Sequence, residues 1–180
     1  MSNLPTFSQL EKMEVTLPEK ESALQALLNQ QPPAQFISTE SMSKTPYIPI
    51  EKIEYLMTSI FKVWSVEVKS YCLIANSVCV EVRVHYRDPV TGEMRFQDGV
   101  GASPLQTKKG AGATDFHNIQ SASVQMALPS AKSYAIKDAT GQIGTIFGKD
   151  LGRKTTSNYE KLIPESVKNY KFENPQLTER

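Results

Sequence analysis

The chain has 180 residues, 39% of them hydrophobic, which is enough for one core and too few for two comfortable ones. Its formal charge is only +1, but residues 1–43 carry two Lys against five Glu, residues 44–154 carry fourteen basic against ten acidic groups, and residues 155–180 carry four of each. No apolar run reaches the ~18 residues of a membrane span, and Cys72, Cys79, His85 and His117 lack the paired spacings of a zinc site, so the composition argues against a membrane-spanning helix and a metal fold.

The polar start Met1-Ser-Asn has neither the basic nor the apolar block of a signal peptide, which predicts a cytoplasmic protein. Glu19 to Gln30 predicts a short amphipathic helix with a stripe at Ala23, Leu24, Leu27 and Leu28, closed by Pro32-Pro33. Ser41 to Thr45 reads as a polar loop. Pro49 to Phe61 then offers Ile50, Ile53, Leu56, Met57, Ile60 and Phe61 at helical spacing, a second and more apolar helix.

From Trp64 the period becomes two. Trp64, Val66, Val68, Cys72 and Ile74 form one apolar set, and Val78, Val80, Val82, Val84 and Tyr86 form another, as in two half-buried strands of a hairpin. Both sets are even-numbered, so pairing them on one face calls for an odd loop, Ala75-Asn76-Ser77, which sends Cys72 and Cys79 to opposite faces and predicts no disulfide between them. The turn formers of Asp88 to Glu93 lead to a third strand with Met94, Phe96 and Val100. Trp64 and Phe96, in apolar phase, are assigned to the core.

Gly99 to Ala127 reads as a flexible basic loop, in which glycines 99, 101, 110 and 112 surround Lys108-Lys109. Ala131, Ala135, Ala139, Ile143, Ile146, Phe147 and Leu151 then fall on one stripe, predicting a long helix from Ala131 to Lys154 with Pro129 in its first turn and basic residues off the stripe. Phe147 is assigned to the core. Gly141 and Gly144 inside this helix would be tolerated where a backbone approaches closely. The fold class is therefore α+β: a three-stranded antiparallel meander, a long packing helix, and N-terminal helices. The polar segment after Lys154 offers a short helix around Glu165 to Tyr170.

Ala131-Lys132-x-x-Ala135-Ile136-x-Asp138 followed by Phe147-Gly148-x-x-Leu151-Gly152 resembles the helix behind the sheet in the Rad fifty-two family of single-strand annealing proteins, in a compact phage or prophage form. Pro33-Ala34-Gln35-Phe36-Ile37-Ser38, Tyr47-Ile48 and Asp98-x-x-Gly101 are similar to other family motifs in the same order, and the resemblance spans Glu19 to Arg153. It implies a βββα core assembled into homo-oligomeric rings or helices. It also implies single-stranded DNA in a basic groove and annealing of complementary strands in recombination and repair without ATP, metal or other cofactor.

On this reading residues 1–18 are an N-terminal extension, 19–154 the annealing domain and 155–180 a C-terminal extension. A single-strand binding protein or an exonuclease is a candidate partner, and the location is the host cytoplasm. The mid-helix basic residues of the family fall here at Gly141, Gln142 and Thr145, so charge and position leave Lys44, Lys108, Lys109, Lys132, Lys149, Arg153 and Lys154 as the DNA-binding candidates. Tyr47 joins them as a base-stacking or packing aromatic. The alternative is a single-stranded nucleic-acid binding protein or recombinase-loading mediator that does not anneal.

Other chemistry finds less support. Lys69, Arg83, His85, Arg87 and Arg95 are diluted by Glu67 and Glu81, as on a solvated or subunit-facing sheet. Gly144 to Asp150 has the wrong glycine spacing for a nucleotide-binding loop, with Asp where Ser or Thr is needed after the Lys. Asp98, Asp115, Asp138 and Asp150 share no element as a nuclease metal site would require, and Asp138 is expected to pair with a Lys or cap local backbone.

Overall fold

The computed structural model describes residues 16–153 except 42 and 113, so Lys154, most of the predicted N-terminal extension and all of the predicted C-terminal one, with its segment around Glu165 to Tyr170, lie outside the described residues. The chain is α+β. In order come α1 (Leu17–Leu28), β1 (Ser38–Thr39), β2 (Pro46–Tyr47), α2 (Ile50–Phe61), β3 (Trp64–Ile74), β4 (Ser77–Arg87), β5 (Met94–Pro104) and α3 (Ser123–Ile143), with 3-10 turns at Ala34–Phe36, Phe116–Asn118 and Thr145–Phe147. The last three strands form one sheet in the order β3-β4-β5, and β1 pairs antiparallel with β2. Two compact units result: one holds residues 65–86 and 95–142, and the other holds the remainder. Among the described residues no helix is long and apolar enough to cross a membrane.

The mainly helical unit is built on the two apolar stripes. α1 starts where the Thr16 N–H and hydroxyl both donate to the Glu19 carboxylate at 2.9 Å, a reach-back that supplies a partner to a helix-start amide. It buries Ala23, Leu24, Leu27 and Leu28, and α2 buries Ile53, Leu56, Met57, Ile60 and Phe61, as the spacing predicts. Ile146 and Phe147 complete this core. The Phe147 ring stacks on Phe61 with centroids 6.5 Å apart. Trp64 is only half-buried rather than core, and its indole N–H donates to the Thr58 hydroxyl at 3.0 Å on the exposed side.

In the sheet unit the connections fix the register. Asp88 N–H donates to the Glu93 carbonyl at 2.8 Å and Leu105 N–H to the Asn76 carbonyl at 2.6 Å, so Val82 stands opposite Gly99 and Arg83 opposite Asp98. Val78, Val80, Val82, Val84 and Tyr86 are buried. Their partners on β5 are the odd-numbered residues, among them Gly99 and Gly101, over which α3 passes. A Cβ on Gly99 would lie 2.3 Å from the Ala135 carbonyl oxygen, and one on Gly101 would lie 2.3 Å from that of Ala131. Ala131, Ala135 and Ala139 are fully buried at this contact, and Asp138 and Gln142 anchor it by bonding the Val100 N–H and the Asp98 carbonyl of the edge strand at 3.1 and 2.8 Å.

Three expectations differ from the structure, two of them because of this contact. Gly99 and Gly101 are strand residues under a helix rather than the start of a flexible loop. With odd positions committed to α3, the even residues Met94, Phe96 and Val100 take the open face, where they are 56%, 53% and 68% exposed, so Phe96 is not core. The long helix also begins earlier and ends earlier than its stripe suggests. Pro129 is an exposed interior residue of α3, and the helix stops before Gly144, whose extended backbone lies so close to α1 that a Cβ would meet the Leu28 carbonyl oxygen at 2.4 Å. Close approach thus explains Gly144, whereas nothing lies near Gly141.

The β3–β4 hairpin differs from expectation as well. Its loop has two residues, Ala75-Asn76, with Ala75 at φ +51°, so Ile74 stands opposite Ser77. Ser70 Oγ donates to Glu81 at 2.9 Å in the same register, whereas at the open end Arg87 N–H reaches the Val63 carbonyl at 3.0 Å, one residue out of step. The extra residue on β3 is a β-bulge that reverses the facing of its side chains. Cys72 and Cys79 consequently share a face instead of lying on opposite ones, and both are free thiols.

Adding one methyl at Gly101 (Gly101→Ala) forces α3 off the sheet and is expected to lower unfolding stability by about 3 kcal/mol or more. Gly141→Ala meets open space and is expected to raise it by about 0.5–1 kcal/mol. Urea denaturation of the two variants checks both signs.

Candidate nucleic-acid interface

In the helical unit, four of the candidate residues sit on two segments that glycines bring together. Lys44 occupies the turn between β1 and β2 at φ +57°, its N–H bonded to the Glu40 carbonyl at 3.1 Å, and Tyr47 on β2 is 41% exposed. Beyond the last 3-10 turn, Gly148 and Gly152 adopt φ +93° and +80°, a region that glycine enters at no steric cost. The first packs against Ile48, where a Cβ would stand 3.1 Å from Cδ1, and the second lies over Pro46. Tyr47 lies between these two supporting residues, and Lys149 and Arg153, which directly follow the two glycines, are exposed. Lys44, Tyr47, Lys149 and Arg153 therefore decorate one pair of packed turns.

The apolar stripe puts Lys149 and Arg153 at the C-terminal end of a helix, where the macrodipole favours cations. They lie instead on successive turns, closed by Leu151 N–H to the Gly148 carbonyl and Arg153 N–H to the Asp150 carbonyl, both at 3.2 Å. The Arg153 guanidinium, with 62% side-chain exposure, stands 3.4 Å from Asp150. An exposed pair of this kind contributes at most about 1 kcal/mol, so its Arg exchanges readily to another anion.

The sheet unit holds the other three described candidates. Lys132 is exposed on α3, next to the Ala131 whose carbonyl crosses Gly101. Lys108 and Lys109 are exposed on the segment after β5, but this segment is tied down: Thr107 bridges Ile119, and Lys108 N–H donates to the Asn118 carbonyl at 2.9 Å. These basic side chains thus stand on an ordered support rather than on a flexible loop.

On the open face of the sheet Lys69, Arg83 and His85 stand among carboxylates, whereas Arg95, an odd-numbered residue of β5, falls on the α3 side instead of facing outward with them as the alternation suggested. Arg83 donates two bonds to Asp98, Nε–Oδ1 at 2.6 Å and Nη2–Oδ2 at 2.7 Å, while its guanidinium carbon lies 4.0 Å from the Phe96 ring centroid. His85 Nε2 is 3.2 Å from Glu67, which Lys69 also approaches at 3.9 Å. Bonding from Arg83 holds the Asp98 carboxyl below the usual aspartate range, and bonding from His85, then the charge of Lys69, does the same for Glu67. The Arg83–Phe96–Asp98 cluster is not legible in the sequence because its register depends on Gly99 and Gly101.

The other three aspartates weighed for a metal site each have a different partner, and that of Asp138 is on β5 rather than in the local backbone or a Lys. Asp115 accepts from the Asn118 amide at 2.6 Å, Asp138 caps the Val100 N–H, and Asp150 faces Arg153. Gly144, Thr145, Ile146 and Phe147 are buried, so the first part of the Gly144 to Asp150 segment is packed into the core and does not form an open phosphate cradle. No protein-family model matches the chain, and no curated protein matches it.

Asp98 and Glu67 bind protons less tightly folded than unfolded, so their contribution to stability is complete above the unfolded value and disappears as pH falls through the folded one. Asp98→Asn is expected to lower Tm at neutral pH, and the gap to the parent chain is expected to close in acid. Thermal melts across that range test the sign.

Proposed function

We propose that the protein binds single-stranded DNA and anneals complementary strands without ATP, acting as a homo-oligomer. Annealing makes two physical demands: phosphate charge must be neutralised so that two strands can approach, and bases must stay exposed for pairing. The observation that carries the reading is the set of exposed cations on packed turns, Lys44, Lys149 and Arg153 beside Tyr47, with Lys108, Lys109 and Lys132 presented on the sheet unit. These cations stand on segments held by backbone contacts, so engaging phosphate would cost the fold none of its support. The motif order that resembles the annealing family adds weight to the same reading.

Self-association draws support from β3. It is an edge strand of 11 residues on which Val68, Tyr71, Leu73 and Ile74 are between 46% and 75% exposed, an apolar edge suited to a second copy of the chain.

Mixing the protein with complementary oligonucleotides in the absence of nucleotide and metal is expected to accelerate duplex formation, read by fluorescence quenching. Absence of acceleration defeats the annealing proposal, and binding that slows pairing assigns a protective single-strand binder instead. Replacing Lys149 and Arg153 with Ala is expected to weaken binding and to flatten its log–log salt dependence by about 0.7 for each phosphate no longer neutralised. Unchanged affinity and slope would move the groove elsewhere.

A further inference from the structure

The register near the tip of the β3–β4 hairpin places two cysteines directly opposite each other. Because the loop is only Ala75-Asn76, Ile74 stands opposite Ser77, Leu73 opposite Val78, and Cys72 opposite Cys79. The Ser70–Glu81 bond at 2.9 Å shows the same register persisting two residues farther along, before the bulge, with side chains on the same face as the two cysteines. Directly opposed residues of an antiparallel pair have Cα atoms about 4.5 or 5.5 Å apart, and both spacings lie inside the roughly 4.4–6.8 Å that a disulfide spans. Cys72 is exposed and Cys79 half-buried.

We propose that Cys72 and Cys79 form a cross-strand dithiol that closes to an intramolecular disulfide by exchange with a small-molecule disulfide of the glutathione type. The exposed Cys72, as thiolate, attacks one sulfur of the small disulfide. That S–S bond breaks, one thiolate leaves and takes up a proton, and a mixed disulfide remains on Cys72. The Cys79 thiolate then attacks the Cys72 sulfur, the mixed bond breaks, and the second small thiol departs. The protein pair loses two electrons and two protons, and the small disulfide gains them. The loop it closes is short and already ordered by the hairpin, so the bond adds little to stability and acts as a reversible modification of the hairpin tip.

The test equilibrates the full chain with defined ratios of oxidised and reduced glutathione, quenches with N-ethylmaleimide, and reads intact mass and cross-linked peptides. The expected oxidised product lacks both alkylation sites, carries no glutathione and yields Cys72 linked to Cys79. It returns to two alkylated thiols as reduced glutathione is restored, and Cys72→Ser abolishes it. Stable glutathione adducts, disulfide-linked dimers, or two alkylatable thiols persisting in fully oxidised glutathione would each overturn the proposal.

Discussion

One contact governs the sheet unit: the backbone of α3 lies directly on the backbone of β5, with no side chain between them at Gly99 and Gly101. A helix can approach a strand this closely only if both surfaces are stripped, and α3 meets the condition with Ala131, Ala135 and Ala139 on successive turns. Once the two glycines are committed inward, the period-two geometry of a strand leaves no choice for their neighbours. Phe96 and Asp98 must face outward, where they meet Arg83. The bidentate ion pair and the ring beside it are thus consequences of a packing constraint on the opposite side of the sheet.

The same constraint explains which parts of the fold are legible in the sequence. Stripes at Leu24 and Leu27, at Ile53, Leu56 and Ile60, and the alternation of Val78 to Tyr86 are local signals, and the corresponding elements form where those signals place them. Gly99 and Gly101 give no such signal. A missing side chain reads equally well as loop or as close contact, and only the partner helix decides between them. The stripe through Ile146 and Phe147 misleads for a related reason: both residues are buried, but on a 3-10 turn beyond the helix end, and burial spaced at three or four residues does not reveal a change of backbone. At the hairpin a loop one residue shorter, together with a bulge on β3, is enough to bring Cys72 and Cys79 onto one face.

For the candidate interface the sequence supplies the cations but not their availability. Arg83 and Arg153 are alike in type and each has an acidic neighbour. Arg83 is gripped bidentately by a carboxylate opposite it, at 26% side-chain exposure, whereas Arg153 reaches Asp150 over 3.4 Å at 62% exposure. Two parallel charge-assisted bonds with a ring stacked alongside resist exchange far more than one loose surface pair does. The distinction separates an arginine committed to the sheet from one whose charge stays accessible, and it rests on strand register and turn geometry that charge counting does not see.

The kind of support beneath the cations bears on the proposed chemistry. Lysine binds phosphate as a point charge on a flexible stem, without the planar two-bond fit of arginine, so it neutralises a strand while leaving its position along the groove unfixed. Pairing requires that freedom, because two strands must slide past one another before their bases come into register. Among the described candidates, Lys44, Lys108, Lys109, Lys132 and Lys149 are lysines, and the one arginine is the loosely paired Arg153. In each unit the stems rise from backbone that is held by hydrogen bonds or packing, Lys44 on the β1–β2 turn, Lys149 after Gly148, Lys108 beside Asn118 and Lys132 on α3, so the proposed contacts would be single point charges on fixed supports.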